Sequence, residues 1–148
     1  MTTQYYLNRI KKSPPQQNIK YSDLVDLENI AFEISQNDTE ISFTLNTFFQ
    51  GSENKTTTIN TEIVNLFAKY SGLVFLDEKE TGNICFANSD EVRAEYRQSF
   101  TLFDFLDYIY AFVHSSLYRE SREILIPSET ILFWQMVKIG FALRKEIK

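Results

Sequence analysis

The sequence TLFDFLDYIYAFVHSSLYRESR, residues 101–122, has the pattern of a helix at the centre of a soluble domain. Its apolar and aromatic residues recur at intervals of three and four, which is the period of a helix buried on more than one side. Thr101 can cap the first turn. Asp104 can reach back to the Thr101 amide and place a carboxylate at the positive end of the helix dipole. We therefore expect a core helix to begin here.

A final helix is predicted after this one. Residues 124–127 should be extended because Pro127 restricts the residue before it, and Ser128 can cap the helix that follows. An apolar stripe covers residues 132–143. Arg144 and the lysines after it lie at the negative end of the dipole. We expect this helix to pack on the core with its basic tip in solvent.

The N-terminal half has a different period. Residues 30–35 and 41–46 alternate between apolar and small or polar side chains, and turn-forming residues 36–39 lie between them. This alternation predicts a β-hairpin with one buried face. The fold class predicted from the whole chain is α+β, with an antiparallel β-hairpin or small sheet in the N-terminal half packed against a helical C-terminal half.

Between these two parts, a further helix is predicted from residue 60 or 61. Asn60 or Thr61 can cap it, and Gly72 supplies the left-handed residue that ends it. Residues 73–76 then form a short apolar strand, with a returning strand predicted at residues 84–86.

Length and charge limit the organisation of the chain. Its 148 residues correspond to about one domain, which we expect to span residues 23–148. Residues 1–22 are a basic leader with no acid, predicted to be a mobile or strand-edge segment. The net charge of −5 repels DNA at long range. The single cysteine, Cys85, has apolar neighbours and is expected to be buried, and the absence of a signal segment predicts a cytoplasmic protein.

The residues offer little catalytic chemistry. With one histidine and one cysteine, no zinc site or Cys-His pair is complete, and no nucleotide-binding motif is present. His114 is expected to be a structural, cationic imidazole near a helix end, and Asp107 to lie on the solvated side of its helix. Tyr108, Tyr110, Tyr118 and Trp134 could stack on bases, but their helical spacing favours core packing. We expect no enzyme, no metal and no cofactor.

Residues 105–120, FLDYIYAFVHSSLYRE, resemble a sequence near the C-terminus of large single-chain restriction–modification enzymes, the Type ISP group and related adenine-specific DNA methyltransferases. There the pattern runs Asp-Tyr-Ile-Tyr-Ala, two or three apolar residues, His-Ser-Pro and then Tyr-Arg-Glu. Two further pieces fall in the family's order. Upstream, residues 43–49, a polar loop and residues 59–64 with Gly72 look like the family's strand and helix start, and downstream, residues 126–128 and a Leu-Phe-Trp at residues 132–134 look like its closing helix. The resemblance therefore covers about residues 40–148. Ser116 stands where the family has proline, and the connection before Ile126 is shorter. The residues that match the pattern are Asp107, Tyr108, Tyr110, His114, Ser115, Tyr118, Arg119 and Trp134.

The resemblance implies a non-catalytic C-terminal specificity region that contributes to DNA target recognition, since the family's methyltransferase, ATPase and nuclease motifs are missing here. Its partners would be DNA, in the context of a larger enzyme, and a methyltransferase domain or subunit, with no membrane. From exposure and chemistry alone, the predicted DNA contacts are Arg9, Lys11, Lys12, Asn54, Lys55 and Thr56. The alternative is a protein-interaction or scaffold module that docks on a methyltransferase domain or subunit without touching DNA.

Overall fold

The computed structural model describes residues 2–12, 21–36, 41–50, 58–76 and 98–146. Seven helices and six two-residue strands lie in this part of the chain. In chain order they are α1 Thr3–Lys12, α2 Tyr21–Gln36, β1 Ser42–Phe43, α3 Leu45–Phe48, β2 Phe49–Gln50, β3 Thr58–Ile59, α4 Thr61–Ser71, β4 Val74–Phe75, β5 Ser99–Phe100, α5 Leu102–Phe112, α6 Ser116–Ser121, β6 Ile124–Leu125 and α7 Thr130–Lys145. The predicted α+β class is confirmed, with a small antiparallel sheet in the N-terminal half and helices in the C-terminal half.

Helix α5 is the central element, as its sequence predicts. The Thr101 side chain accepts a hydrogen bond from the Asp104 amide, and the Asp104 carboxylate accepts one from the Thr101 amide, so the predicted capping box is confirmed. Every residue from 105 to 112 is buried. A helix that is covered on all sides must be the core around which other elements pack.

Helix α7 packs against α5 so closely that one residue has no room for a side chain. A Cβ atom added to Gly140 would lie 1.8 Å from the Asp107 carbonyl oxygen, far inside van der Waals contact. Glycine at this position therefore lets the two helix backbones meet.

Stacked aromatic rings join α4 to this helix pair. The Phe67 ring lies 4.7 Å from the Phe105 ring and 5.4 Å from the Phe133 ring, measured between centroids. Tyr108 stacks on Phe133 at 5.4 Å. Rings at these separations add to the free energy of simple area burial, so α4, α5 and α7 share one aromatic core.

The six strands form three two-stranded pairs, and two of these pairs join segments that are far apart in the sequence. β1 pairs antiparallel with β6, which aligns Phe43 with Ile124. β2 pairs antiparallel with β3, and β4 pairs parallel with β5. Each strand pair connects two segments of the chain through a small number of backbone hydrogen bonds.

The predicted hairpin over residues 30–45 is wrong. Residues 30–35 belong to helix α2, whose buried side chains Leu27, Ala31 and Ile34 recur at helical intervals. The period-two pattern made Phe32 a buried strand residue, whereas its side chain is 60% exposed. Of the second predicted strand, residues 42–43 form β1, which pairs with β6, and Leu45 already begins helix α3.

Residues 3–12 of the predicted basic leader form helix α1, which corrects the expectation of a strand-edge segment there. Tyr6, Leu7 and Ile10 are buried, and their spacing of one and three residues marks a single helical face. Residues 13–20 lie outside the described part of the chain.

The predicted helix after residue 60 is confirmed as α4. The Asn60 side chain accepts a hydrogen bond from the Glu62 amide at 3.0 Å, and Gly72 ends the helix with φ of 77°. The short strand that follows is also confirmed, as β4. The returning strand at residues 84–86 and the predicted burial of Cys85 lie outside the described residues.

The final helix is confirmed, with its broad buried stripe from Leu132 to Gly140. Its start differs in one detail from the prediction. Glu129, not Ser128, is the residue that precedes the first turn, and it makes no side-chain capping hydrogen bond.

We expect Gly140→Ala to destabilise the protein by about 2 kcal/mol or more, because α5 and α7 must separate to admit the methyl group. The gain in helix propensity from Gly to Ala, about 0.5–1 kcal/mol, offsets only part of this loss. Chemical denaturation followed by circular dichroism measures the change. Gln135→Ala, on the exposed side of the same helix, is the control, and equal stability of the two variants would contradict the close contact.

Candidate functional site

The residues that carry the sequence pattern lie in the core. All of them except Arg119 are buried, which confirms core packing for the three tyrosines and Trp134. Tyr108 also donates a hydrogen bond to the Leu125 carbonyl at 2.6 Å, so it fixes β6 against α5. The pattern therefore describes how this region packs, and it does not form an open site.

The pattern's acidic residue, Asp107, is the centre of a buried polar network. Arg144 donates from Nε to Oδ1 at 2.8 Å and from Nη2 to Oδ2 at 3.1 Å. The Tyr6 hydroxyl donates to Oδ1 at 2.6 Å. Asp107 is only 1% exposed, so the prediction that it is solvated is wrong, and so is the prediction of a fully solvated basic tip for α7.

Burial governs the ionisation of this network. Burial raises the pKa of Asp107 above its ordinary value, and the hydrogen bonds from Arg144 and Tyr6 lower it again in part. Burial and the Asp107 charge both raise the pKa of Tyr6. Burial lowers the pKa of Arg144, but the hydrogen bonds to Asp107 outweigh it and the pKa is raised. The carboxylate is already bound on both oxygens and closed to solvent, so the network joins α1, α5 and α7 and offers no face to a substrate.

Aromatic rings complete the surroundings of the guanidinium. The Arg144 Cζ atom lies 5.6 Å from the Tyr6 ring centroid, 5.1 Å from that of Phe103 and 4.9 Å from that of Phe141. A planar, weakly hydrated cation is well suited to such an enclosure, and lysine would not replace it equally.

His114 is buried and hydrogen-bonded, and its surroundings disfavour the positive charge that the sequence predicts. Its Nδ1 lies 2.6 Å from the Tyr110 carbonyl oxygen, and its ring packs edge-on against the Tyr110 ring at 4.9 Å. Burial lowers its pKa below 6.5, which outweighs the opposing effect of the hydrogen bond, and the Arg9 charge lowers it further. Desolvation is thus the largest single effect on the His114 pKa.

The position that departs from the family pattern makes a contact that proline could not. The Ser116 amide donates to Glu28 Oε1 at 2.9 Å, and the Ser116 hydroxyl bonds the other carboxylate oxygen. Ser115 caps α6 through the Tyr118 amide. The break between α5 and α6 is therefore tied to α2 through a hydrogen-bonded carboxylate.

The predicted DNA-contact residues are only partly within the described chain. Lys11 and Lys12 are exposed at the end of α1, and Arg9 is half-buried on the same helix. None of the three forms a salt bridge with a described acid, and the buried Arg9 Nε has no hydrogen-bond partner among the described residues. Asn54, Lys55 and Thr56 lie outside the described ranges.

An open groove of about 530 Å³ runs between α2 and α7. Three of its lining side chains are apolar, and its one acid lies on α2 while its one base lies on α7. The residues that line it are Asp26, Asn29, Ile30, Gln135, Lys138, Ile139 and Ala142. Sequence reasoning missed this groove because it took residues 30–35 for a strand.

Comparison of the chain with protein-family models, with curated proteins and with solved structures finds no match. Among the described residues, no group of three or more His, Cys, Asp and Glu side chains could hold a metal ion. No helix in the described ranges is long and apolar enough to cross a membrane.

We expect His114 to titrate with a midpoint below 6.5. It is the only histidine in the chain, so its imidazole proton resonances in an NMR pH titration are unambiguous. The unfolded protein should titrate near about 6.5. Because the folded pKa is the lower one, stability contributed by neutral His114 is present above about 6.5 and is lost as the pH falls through the folded pKa. A folded midpoint at or above the unfolded one would contradict burial as the dominant cause.

We expect Tyr6→Phe to lower the free energy of unfolding by about 1–2 kcal/mol, because a buried hydrogen bond to a charged group is lost while the ring stays in place. Tyr5→Phe, the neighbouring exposed tyrosine, should change it by less than about 0.5 kcal/mol. Both values come from urea denaturation. Equal effects of the two substitutions would show that the Tyr6 hydroxyl does not stabilise the fold.

Proposed function

We propose that this chain is the non-catalytic C-terminal specificity region of a bacterial restriction–modification adenine methyltransferase, and that it contributes to DNA target recognition within the larger enzyme. The identity rests on the pattern in residues 105–120 and the pieces that flank it in the family's order. Since this pattern lies in the core, the contacts with DNA must come from other residues. The role requires a cytoplasmic location.

The observation that carries the DNA role is the charge of helix α1. Its ten residues include Arg9, Lys11 and Lys12 and no acid. By contrast, the whole chain has 20 acids against 15 Lys and Arg, so the charge of α1 is positive whereas the net charge of the molecule is negative. Lys11 and Lys12 are exposed and form no salt bridge with a described acid, so they can contact phosphate oxygens, and such contacts release counterions from DNA.

Anchoring of α1 gives these cations a fixed position. Tyr6, Leu7 and Ile10 hold one face of the helix in the core, and the Tyr6 hydroxyl is bonded to Asp107. Lys11 and Lys12 follow directly on the exposed side. Phosphate contacts from a rigid helix set the register of a protein on DNA, whereas base contacts specify the sequence. We assign the backbone role to α1 and the base contacts to Asn54, Lys55 and Thr56, which lie outside the described residues.

The net charge of −5 limits what the chain does alone. Long-range repulsion opposes approach to DNA, and two or three phosphate contacts supply only a modest, salt-dependent affinity. In the larger enzyme, other domains would hold the DNA backbone, and this region would add local contacts. We therefore expect weak binding by the isolated chain, visible at low salt.

The test compares charge reversal on α1 with the same change elsewhere. Lys11→Glu with Lys12→Glu should weaken binding to a labelled random-sequence duplex about tenfold, or about 1.4 kcal/mol, at low salt. The slope of log K against log salt should fall by about 1.8, because each lost phosphate contact removes about 0.9. Fluorescence anisotropy at about 50 mM and about 200 mM salt measures both quantities.

The control is Lys69→Glu with Arg119→Glu, which changes the net charge equally at exposed positions on α4 and α6. Equal weakening by the control would mean that overall charge governs binding and that α1 has no special role. Absence of duplex binding by the unaltered chain at low salt would contradict direct contact by α1. That result would favour a region that docks on the methyltransferase without touching DNA.

A further inference from the structure

Four of the seven exposed large apolar side chains in the described part of the chain lie on two neighbouring helices. Val25 and Phe32 on α2 are 39% and 60% exposed, and Ile131 and Phe141 on α7 are 49% and 42% exposed. Val25 and Phe32 are seven residues apart, so they lie on the same side of their helix. The groove runs between the same two helices, and none of these four side chains lines it. Exposed apolar groups with a polar rim are typical of protein-binding surfaces.

The two helices carry opposite charge. The exposed Asp26 and Glu33 belong to α2, which contains no Lys or Arg, and the exposed Lys138 and Lys145 belong to α7, which contains no acid. Asp26 and Lys138 line opposite walls of the groove without forming an ion pair with each other. The surface therefore has an acidic half on α2 and a basic half on α7, and the groove between the two helices is the seam where the halves meet.

We propose that this α2–α7 surface binds the same surface of a second copy of the chain. A two-fold interface must be self-complementary, because each residue that contacts another is contacted by it in turn. When the two-fold axis runs along the seam, α2 of each copy faces α7 of the other. The acids of one copy then oppose the lysines of its partner on both sides of the axis.

Charge also excludes the competing arrangement. A two-fold axis across the seam would place α2 against α2 and α7 against α7, and like charges would oppose each other on both halves. Such juxtapositions are unfavourable at a desolvated interface. The charge distribution thus selects one register of the dimer, and the four exposed apolar groups supply the burial.

The size of the surface limits the affinity. Each of the two helices has 16 residues. Such helices are about 24 Å long and, side by side, span about 20 Å. The surface then covers roughly 500 Å² per copy, below the roughly 800 Å² of a standard stable interface. We expect a reversible dimer with a micromolar dissociation constant.

Sedimentation velocity over a concentration series from low micromolar to millimolar tests this inference. The unaltered chain should shift from monomer to dimer. Asp26→Lys and Lys138→Asp should each weaken association about tenfold or more, because each creates two like-charge contacts per dimer. The double variant should regain dimerisation because it exchanges the two charges across the interface. A monomer at every concentration, or a double variant no better than the singles, would overturn the inference.

Lys69→Asp, on α4 outside this surface, is the matched control and should dimerise like the unaltered chain. Thermal unfolding at concentrations where every variant is monomeric separates a loss of folding from a loss of association. The inference goes beyond the proposed function and uses none of the residues assigned to DNA. Lys11→Glu with Lys12→Glu should therefore leave dimerisation unchanged, and failure of either idea is visible without the other.

Discussion

The close approach of α5 and α7 at Gly140 is the constraint on which the rest of the structure depends. With no side chain there, the α7 backbone meets the Asp107 carbonyl, so α5 and α7 share one aromatic interior. Phe133 can then reach both Phe67 and Tyr108, which connects α4 to the pair. A bulkier residue would widen this gap, and tightly packed interiors do not absorb such a change.

The close contact between α5 and α7 also explains why the core tolerates the charged side chain of Asp107. Asp107 has no exposed side of α5 available to it, because residues 105–112 are all buried. Arg144 lies one helical turn beyond Gly140 and therefore arrives beside the carboxylate, where it binds both oxygens. A buried ion pair stabilises a fold no more than well-packed apolar residues of similar volume would. Removal of one partner is nevertheless strongly destabilising, because it leaves the other charge buried without compensation. We infer that the network mainly fixes the positions of α1 and α7 relative to α5.

The parts of the fold that were predictable are those in which local and tertiary preferences agree. The caps at Thr101 and Asn60 and the stop at Gly72 depend on neighbouring residues alone. The hairpin prediction was wrong because the apolar residues of 24–34 fit both the two-residue period of a strand and the 3.6-residue period of a helix. Burial of α2 against α7 favours the helical period. Strands such as β1 could not be paired from sequence, since β6 lies about 80 residues away and two residues of alternation have no diagnostic value. The Asp107–Arg144 pair likewise requires knowledge of where two helices cross.

The burial of the family-like pattern changes what the resemblance can say about function. Residues that pack the core are constrained by shape, so a likeness in them is an argument for a similar arrangement of helices and not for a particular contact with DNA. Function must then be sought on exposed surfaces, where this chain separates its charges: basic α1 on one side of α5, and an acidic α2 beside a basic α7. If α7 directs its lysines toward the acids of a second copy, those lysines are not available to phosphate. Lys11 and Lys12 of α1 are exposed and form no salt bridge with a described acid, so the contacts proposed for DNA lie on a different helix from the contacts proposed for the second copy.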